Sequence, residues 1–173
     1  TLDQARREKR RVALGSVIAA VGLTVMKVVV GLVSGSLGIL AEAAHSGLDL
    51  VAAVITFFAV SVSDRPADES HLYGHGKVEN FSALVETLLL FATCAWIIYE
   101  AVRRIFFRDV HVEPSLWAFL VVIVSIVVDV NRSRILSRAA KKHGSQALEA
   151  DALHFSTDIW SSAVVLAGLA FVW

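Results

Sequence analysis

Residues 37–62 read LGILAEAAHSGLDLVAAVITFFAVSV. The run exceeds the roughly 20 mostly apolar residues that a helix needs to cross a bilayer. It nevertheless carries Glu42, His45 and Asp49. Ionisable groups at bilayer depth are costly and mark a pathway or a site. The stretch therefore reads as a transmembrane helix with a polar purpose.

Four further stretches resemble it. They lie at about 12–33 with Lys27, 78–99 with Glu79 and Glu86, 115–137 with Asp129, and 146–173 with Glu149, Asp151, His154 and Asp158. The fold class expected is an all-α integral membrane protein, a polytopic bundle of five transmembrane helices. Composition agrees: 56% of residues are hydrophobic and 18% charged, with a mean hydropathy of +0.66. These values exclude an ordinary soluble domain and intrinsic disorder. The one cysteine, Cys94, excludes a disulfide framework and a Cys-based zinc finger. Zero net charge gives no argument for nucleic acid as a partner. Residues 1–11, TLDQARREKRR, are too polar to insert and lack the pattern of a signal peptide. They are expected to form a cytoplasmic tail before a transmembrane domain at 12–173. The chain opens on Thr1 and stops at Trp173 within an apolar run, so a piece of a longer protein is expected.

Loop charge sets the orientation. Twelve basic residues, in the tail, the second-to-third loop and the fourth-to-fifth connection, fall on one side, against Arg103, Arg104 and Arg108 on the other. The positive-inside rule places the amino terminus in the cytoplasm; the membrane expected is a bacterial inner membrane. Trp96, Tyr99, Trp117 and Trp173 fall near the opposite interface, as an aromatic belt.

The polar residues repeat. Glu42-Ala-Ala-His45-x-x-x-Asp49 parallels Asp151-Ala-Leu-His154-x-x-x-Asp158. His and Asp four apart project from one helical face. Both spans are read as running in the same direction, side by side, with two imidazoles and two carboxylates at similar depth. Such a nitrogen and oxygen set suits tetrahedral Zn²⁺, and two carboxylates offset its charge where solvation is poor. For a single pair the alternative is a helix–helix hydrogen-bond clamp. Glu42 and Asp151, one turn before each histidine, are candidates to orient the imidazoles, or to make packing contacts.

A second cluster lies in the loop after span two. Asp68, His71 and His75 stand within eight residues, and Gly74 and Gly76 permit a tight turn around an ion. Asp64 and Glu79 flank it. The alternative is a solvated polar loop.

Four strings together resemble the cation diffusion facilitator family: Lys27-x-x-x-Gly31-x-x-Ser34-Gly35-Ser36; Ala41-Glu42-Ala43-Ala44-His45-Ser46-x-x-Asp49; Asp68-x-x-His71-x-Tyr73-Gly74-His75-Gly76-x-x-Glu79; and Ala150-Asp151-x-x-His154-x-x-x-Asp158. The resemblance implies six transmembrane helices, a cytoplasmic carboxy-terminal domain, a homodimer, and export of divalent metal in exchange for protons. It implies a transport site at His45, Asp49, His154 and Asp158, and a loop site at Asp68, His71 and His75. The His-Asp/His-Asp composition resembles zinc-preferring members. Leu72 stands where many members have Pro, Glu42 stands where Asp is commoner, and helix six and the cytoplasmic domain are not in this sequence.

The expected substrate is Zn²⁺, with Fe²⁺, Cd²⁺, Co²⁺ or Mn²⁺ as alternatives; protons and the lipid bilayer are the other partners. A metal-binding scaffold that does not transport alone is the rival reading. An enzyme is not expected: His-Glu-x-x-His is absent, and four ligands leave no open position for hydrolysis. Lys27 is expected to snorkel or to pair with a carboxylate such as Glu86, and Asp129 to pair with Arg132 or Arg134. Gly31, Gly35 and Gly38 are expected to let helices approach closely. Residues 138–145 read as a solvated connection, with His143 and His111 at the surface.

Overall fold

The computed structural model describes residues 2–69, 72–107 and 115–172. Five helices make up the described chain: α1 (Leu2–Ser34), α2 (Leu37–Ser63), α3 (Lys77–Phe107), α4 (Leu116–His143) and α5 (Gln146–Val172). Four of them, α1 to α4, are long and apolar enough to cross a membrane by length and composition. In α5, Glu149, Asp151, His154 and Asp158 crowd the first half of the helix.

The polar tail is not separate from the first span; α1 runs unbroken through both. Its inward stripe explains this. Lys9, Ala13, Ser16, Ala20, Leu23 and Lys27 are all buried, and their alternating spacing of four and three is that of one helical face. Polar members of the stripe find partners, described below, so burial does not leave them unsatisfied. Arg10 also lies over the Phe57 ring at 5.7 Å.

The 138–145 stretch is likewise not a solvated connection. α4 continues to His143, burying Ala139 and Ala140. The helix stops at Gly144, whose φ of 63° is left-handed and costs glycine little. His143 is not a surface residue either: its side chain keeps 9% exposure and lies 3.2 Å from Glu8. His111 lies outside the described residues.

Successive helices reverse direction. α1 packs on α2 and α4, α4 on α5, and α3 on α2 and α5. One end of the bundle gathers the start of α1, the end of α2, the start of α3, the end of α4 and the start of α5. Glu79 ties that end together. It accepts hydrogen bonds from Ser63 at 2.8 Å, Ser145 at 2.5 Å and Lys9 at 3.2 Å. Lys9 also donates to Asp64 at 2.7 Å, and Arg6 donates to the Asp64 carbonyl. Asp64 and Glu79 thus belong to this knot.

The knot corrects one sequence expectation. Ser63 at the end of α2 and Ser145 just before α5 share one carboxylate, so α2 and α5 are antiparallel. Between the second and fifth passes the chain reverses three times, which makes parallel packing impossible. The apolar core, including Val60, Leu136, Leu148 and Phe155, fills the same half of the bundle as the knot.

Candidate functional site

His45 and Asp49 stand one turn apart on α2, and His154 and Asp158 one turn apart on α5. Antiparallel packing sets each histidine opposite the other helix's aspartate. His154 Nε2 lies 3.1 Å from Asp49 Oδ1, and His45 Nε2 lies 3.6 Å from Asp158 Oδ1. Along each helix, His45 Nε2 is 3.9 Å from Asp49 Oδ1, and His154 Nε2 is 3.5 Å from Asp158 Oδ2. Parallel helices would have set histidine against histidine. The observed register sets each imidazole beside both aspartates, His45 on Asp158 Oδ1 and His154 on Asp158 Oδ2.

Tetrahedral Zn²⁺ with bonds of about 2.0–2.2 Å separates its ligand atoms by roughly 3.3–3.6 Å. The four observed distances bracket that value. Ligand atoms of His45, Asp49 and Asp158 all lie within 4.8 Å of one another; His154 stands outside that three-residue group, though its Nε2 contacts Asp49 Oδ1 and Asp158 Oδ2. Exposure grades across the group: His45 keeps 26% of its side chain exposed, the aspartates 12% each, and His154 4%. His154 Nδ1 is buried without a hydrogen-bond partner, and its ring meets Phe155 edge-on at 5.4 Å between centroids.

A cavity of about 900 Å³ reaches this cluster. Its lining comes from Glu42 and Ala44 of α2, Leu89 to Ile97 of α3, and Ser161 to Val165 of α5. Most of these lie in the half of the bundle away from the Glu79 knot, while Leu89, together with Val51 and Asp129, which also line the cavity, lies at mid-depth. The four side chains thus line an open cavity, with the packed core between them and the knot.

Glu42 and Asp151 do not orient the imidazoles. Because α2 and α5 are antiparallel, the two acids leave the cluster in opposite directions. Glu42 pairs with Lys27 at 3.2 Å, and Lys27 also donates to Ser46 Oγ at 2.8 Å. Lys27 therefore finds Glu42 rather than Glu86. Glu86 instead accepts from Thr56 at 2.6 Å and Ser82 at 2.8 Å. Asp151, fully buried, accepts from Ser16 at 3.1 Å.

Arg132 pairs with Asp129, as the sequence suggests, but it is buried on α4, at 6% exposure, and is not a loop charge. Its Nη1 is 3.4 Å from Asp129 Oδ1, its Nη2 donates to Ser16 at 3.0 Å, and its guanidinium stacks 3.5 Å from the Phe155 ring centroid. A clue was available: Asn131 to Arg134 directly continue an apolar helical run, with Ala139 and Ala140 after them. Arg132, Ser16 and Asp151 join α4, α1 and α5 just inside the site.

In the loop, His75 Nε2 lies 3.5 Å from Asp68 Oδ2. Gly74, with φ of 77°, makes the turn that a residue with a Cβ adopts only under strain. His71 lies outside the described residues. Gly31 meets the expectation of close approach, since a Cβ there would lie 2.8 Å from Leu40 Cδ2. Gly38 does not: a Cβ there would meet only Ser36 Oγ, at 3.8 Å.

A family profile described as the cation efflux transmembrane domain matches residues 13–173. The magnetosome protein MamB of Magnetospira sp. (strain QH-2) is 36% identical over 149 residues, covering 86% of this chain and 50% of that protein. An uncharacterized transporter of Methanocaldococcus jannaschii is 35% identical over 163 residues, 94% of this chain and 57% of that one. The cation-efflux pump FieF of Yersinia enterocolitica is 30% identical over 172 residues, 98% and 56% respectively. The chain spans about half the length of the curated relatives it matches.

Proposed function

We propose, because this chain belongs to the cation diffusion facilitator family and supplies its cation efflux transmembrane domain, that it carries the metal pathway of an exporter of divalent cations. The family is one of transporters, and the chain is an integral, multi-pass membrane protein. In our reading the substrate is Zn²⁺, held by His45, Asp49, His154 and Asp158 and exchanged for protons. The observation that carries the reading is the set of two imidazoles and two carboxylates lining an open cavity. A donor set without thiolate favours Zn²⁺ over Cu(I).

The mechanism follows from ligand chemistry and shape. A ligating imidazole binds metal through an unprotonated nitrogen, so loading Zn²⁺ releases protons. With a reference pKa of about 6.5, histidine makes that exchange near physiological pH. The core and the Glu79 knot close one side of the site, while the cavity opens on the other. This is the arrangement from which an exporter releases its ion. Loading requires the opposite arrangement, reached by rocking α2 and α5 against their neighbours about a fixed site.

The amino-terminal end is read as cytoplasmic, in a bacterial inner membrane, with residues 1–11 as the tail and 12–173 as the transmembrane domain. The excess of Lys and Arg at that end supports the orientation, and the exposed Trp96, Tyr99 and Trp117 mark the level of the opposite interface. Asp68 and His75, together with His71, form a proposed second metal site at the cytoplasmic face. The whole protein is read as a homodimer on family resemblance.

The test is Zn²⁺ flux in proteoliposomes of the full-length protein under an imposed pH gradient. Flux that depends on the gradient and is lost in Asp49→Ala and in Asp158→Ala is expected. Normal flux in both variants overturns the site.

A further inference from the structure

We propose that the groove between α1 and α4, at the end of the bundle that carries the amino terminus, binds one anionic phospholipid. The groove has a volume of about 520 Å³, within the range of about 300–1,000 Å³ typical of ligand sites. Its two walls run antiparallel: Lys142 Nζ meets Glu8 Oε2 at 2.7 Å, and Arg132 Nη2 meets Ser16 Oγ at 3.0 Å. That register orders the lining in layers along the bundle. Arg11 lies nearest the amino-terminal end, with Val12, Ile135 and Leu136 as an apolar layer directly beneath it; Gly15, Asn131 and Arg132 lie in the middle, and Ala19 and Val127 lie nearest the bundle centre.

A cleft that is cationic at its membrane-surface end and apolar toward the bilayer centre has the polarity of a lipid in the same leaflet. Basic pockets between transmembrane helices bind anionic headgroups for this reason. Two details favour an occupant. Gly15 is exposed and a Cβ there would meet nothing within 4 Å, so the groove is open to an acyl chain on that side. Arg132 engages Asp129 through Nη1 and Ser16 through Nη2, while its buried Nε has no partner. Asp129 and Asp151 offset the Arg132 charge from within the bundle. The exposed Arg11, with the exposed Arg7 one turn before it, supplies the net positive charge at headgroup level. That surplus selects an anionic headgroup over a zwitterionic one, whose own cation it repels. Inorganic phosphate shares the headgroup chemistry but leaves the apolar half of the groove unfilled.

The experiment is thermal unfolding of the full chain, delipidated in neutral detergent. It is titrated with phosphatidylglycerol, with phosphatidylcholine or with inorganic phosphate. Phosphatidylglycerol raises the unfolding midpoint saturably, and the other two leave it unchanged at the same concentrations. Arg11→Gln weakens the phosphatidylglycerol response about fivefold, the factor equivalent to about 1 kcal/mol for one basic residue near the surface. Gly15→Leu, which fills open space, abolishes the response. Lys141→Gln, exposed at the same end but outside the groove, keeps it. An equal response to phosphatidylcholine, a response to phosphate alone, an unchanged response in Arg11→Gln and Gly15→Leu, or a loss in Lys141→Gln equal to that in Arg11→Gln overturns the proposal.

Discussion

Removing the Ser16 hydroxyl is a sharp test of how the bundle is held together beneath the site. Ser16 is 3% exposed and bridges Arg132 Nη2 at 3.0 Å and Asp151 Oδ2 at 3.1 Å. Among the described residues Asp151 accepts a hydrogen bond only from Ser16, on Oδ2, and its Oδ1 is unpaired although the residue is fully buried. Ser16→Ala therefore strips a buried carboxylate of its one hydrogen bond and removes a donor–acceptor contact from a buried guanidinium. Hydrogen bonds to charged groups are worth about 1.5–3 kcal/mol each in soluble proteins. Interhelical bonds in membranes average nearer 0.6 kcal/mol, because the unfolded chain also finds partners there. Two bonds then give a range from about 1 to about 6 kcal/mol. Direct approach of Arg132 to Asp151 recovers part of the loss, so a cost of about 2–3 kcal/mol is expected. Equilibrium unfolding in mixed micelles measures it. A double-mutant cycle with Asp151→Asn should show coupling of about 1.5 kcal/mol. A cost below about 0.5 kcal/mol, or two strictly additive losses, would refute the reasoning.

Glu79→Ala removes the acceptor shared by Lys9, Ser63 and Ser145; a loss of about 2–3 kcal/mol is expected. Amide exchange should accelerate at the start of α5 and in the first turns of α1, and unchanged protection there counts against the knot. Gly31→Ala places a Cβ 2.8 Å from Leu40 Cδ2 and 3.2 Å from the Leu40 backbone nitrogen. A Leu40 rotamer change cannot relieve the second contact, so overpacking of about 1–3 kcal/mol outweighs a helix-propensity gain of about 1 kcal/mol. The variant should unfold at lower temperature, and added stability contradicts the close approach of α1 and α2.

What the sequence disclosed and what it hid have physical causes. The pairs His45/Asp49 and His154/Asp158 were legible because a four-residue spacing is a local property of a helix. The way they face each other was a matter of chain direction. Counting passes from one end gives antiparallel α2 and α5, and with it the fate of Glu42 and Asp151. The resemblance of their two local contexts suggested equal roles, but reversed direction sends one toward Lys27 and the other toward Ser16. Long-range partners were not legible. Nothing near Lys27 in sequence points to Ser46 rather than Glu86, since that choice depends on how α1 rotates about its axis. The pairing of Arg132 with Asp129 was legible, but its burial and the helical course of residues 138–143 were not, because charge was weighed above helical periodicity. Buried alanines and the left-handed stop at Gly144 were the stronger signals.

The central claim is that two histidines and two aspartates from antiparallel helices share one metal ion. X-ray absorption on the full chain loaded with one equivalent of Zn²⁺, with Asp68→Ala and His75→Ala removing the loop cluster, tests it directly. The account predicts four nitrogen and oxygen neighbours at about 2.0–2.1 Å, with the outer-shell scattering of two imidazoles, all lost on adding Asp49→Ala and Asp158→Ala. A sulfur neighbour from Cys94, or the same four-coordinate spectrum after both aspartates are removed, would contradict it.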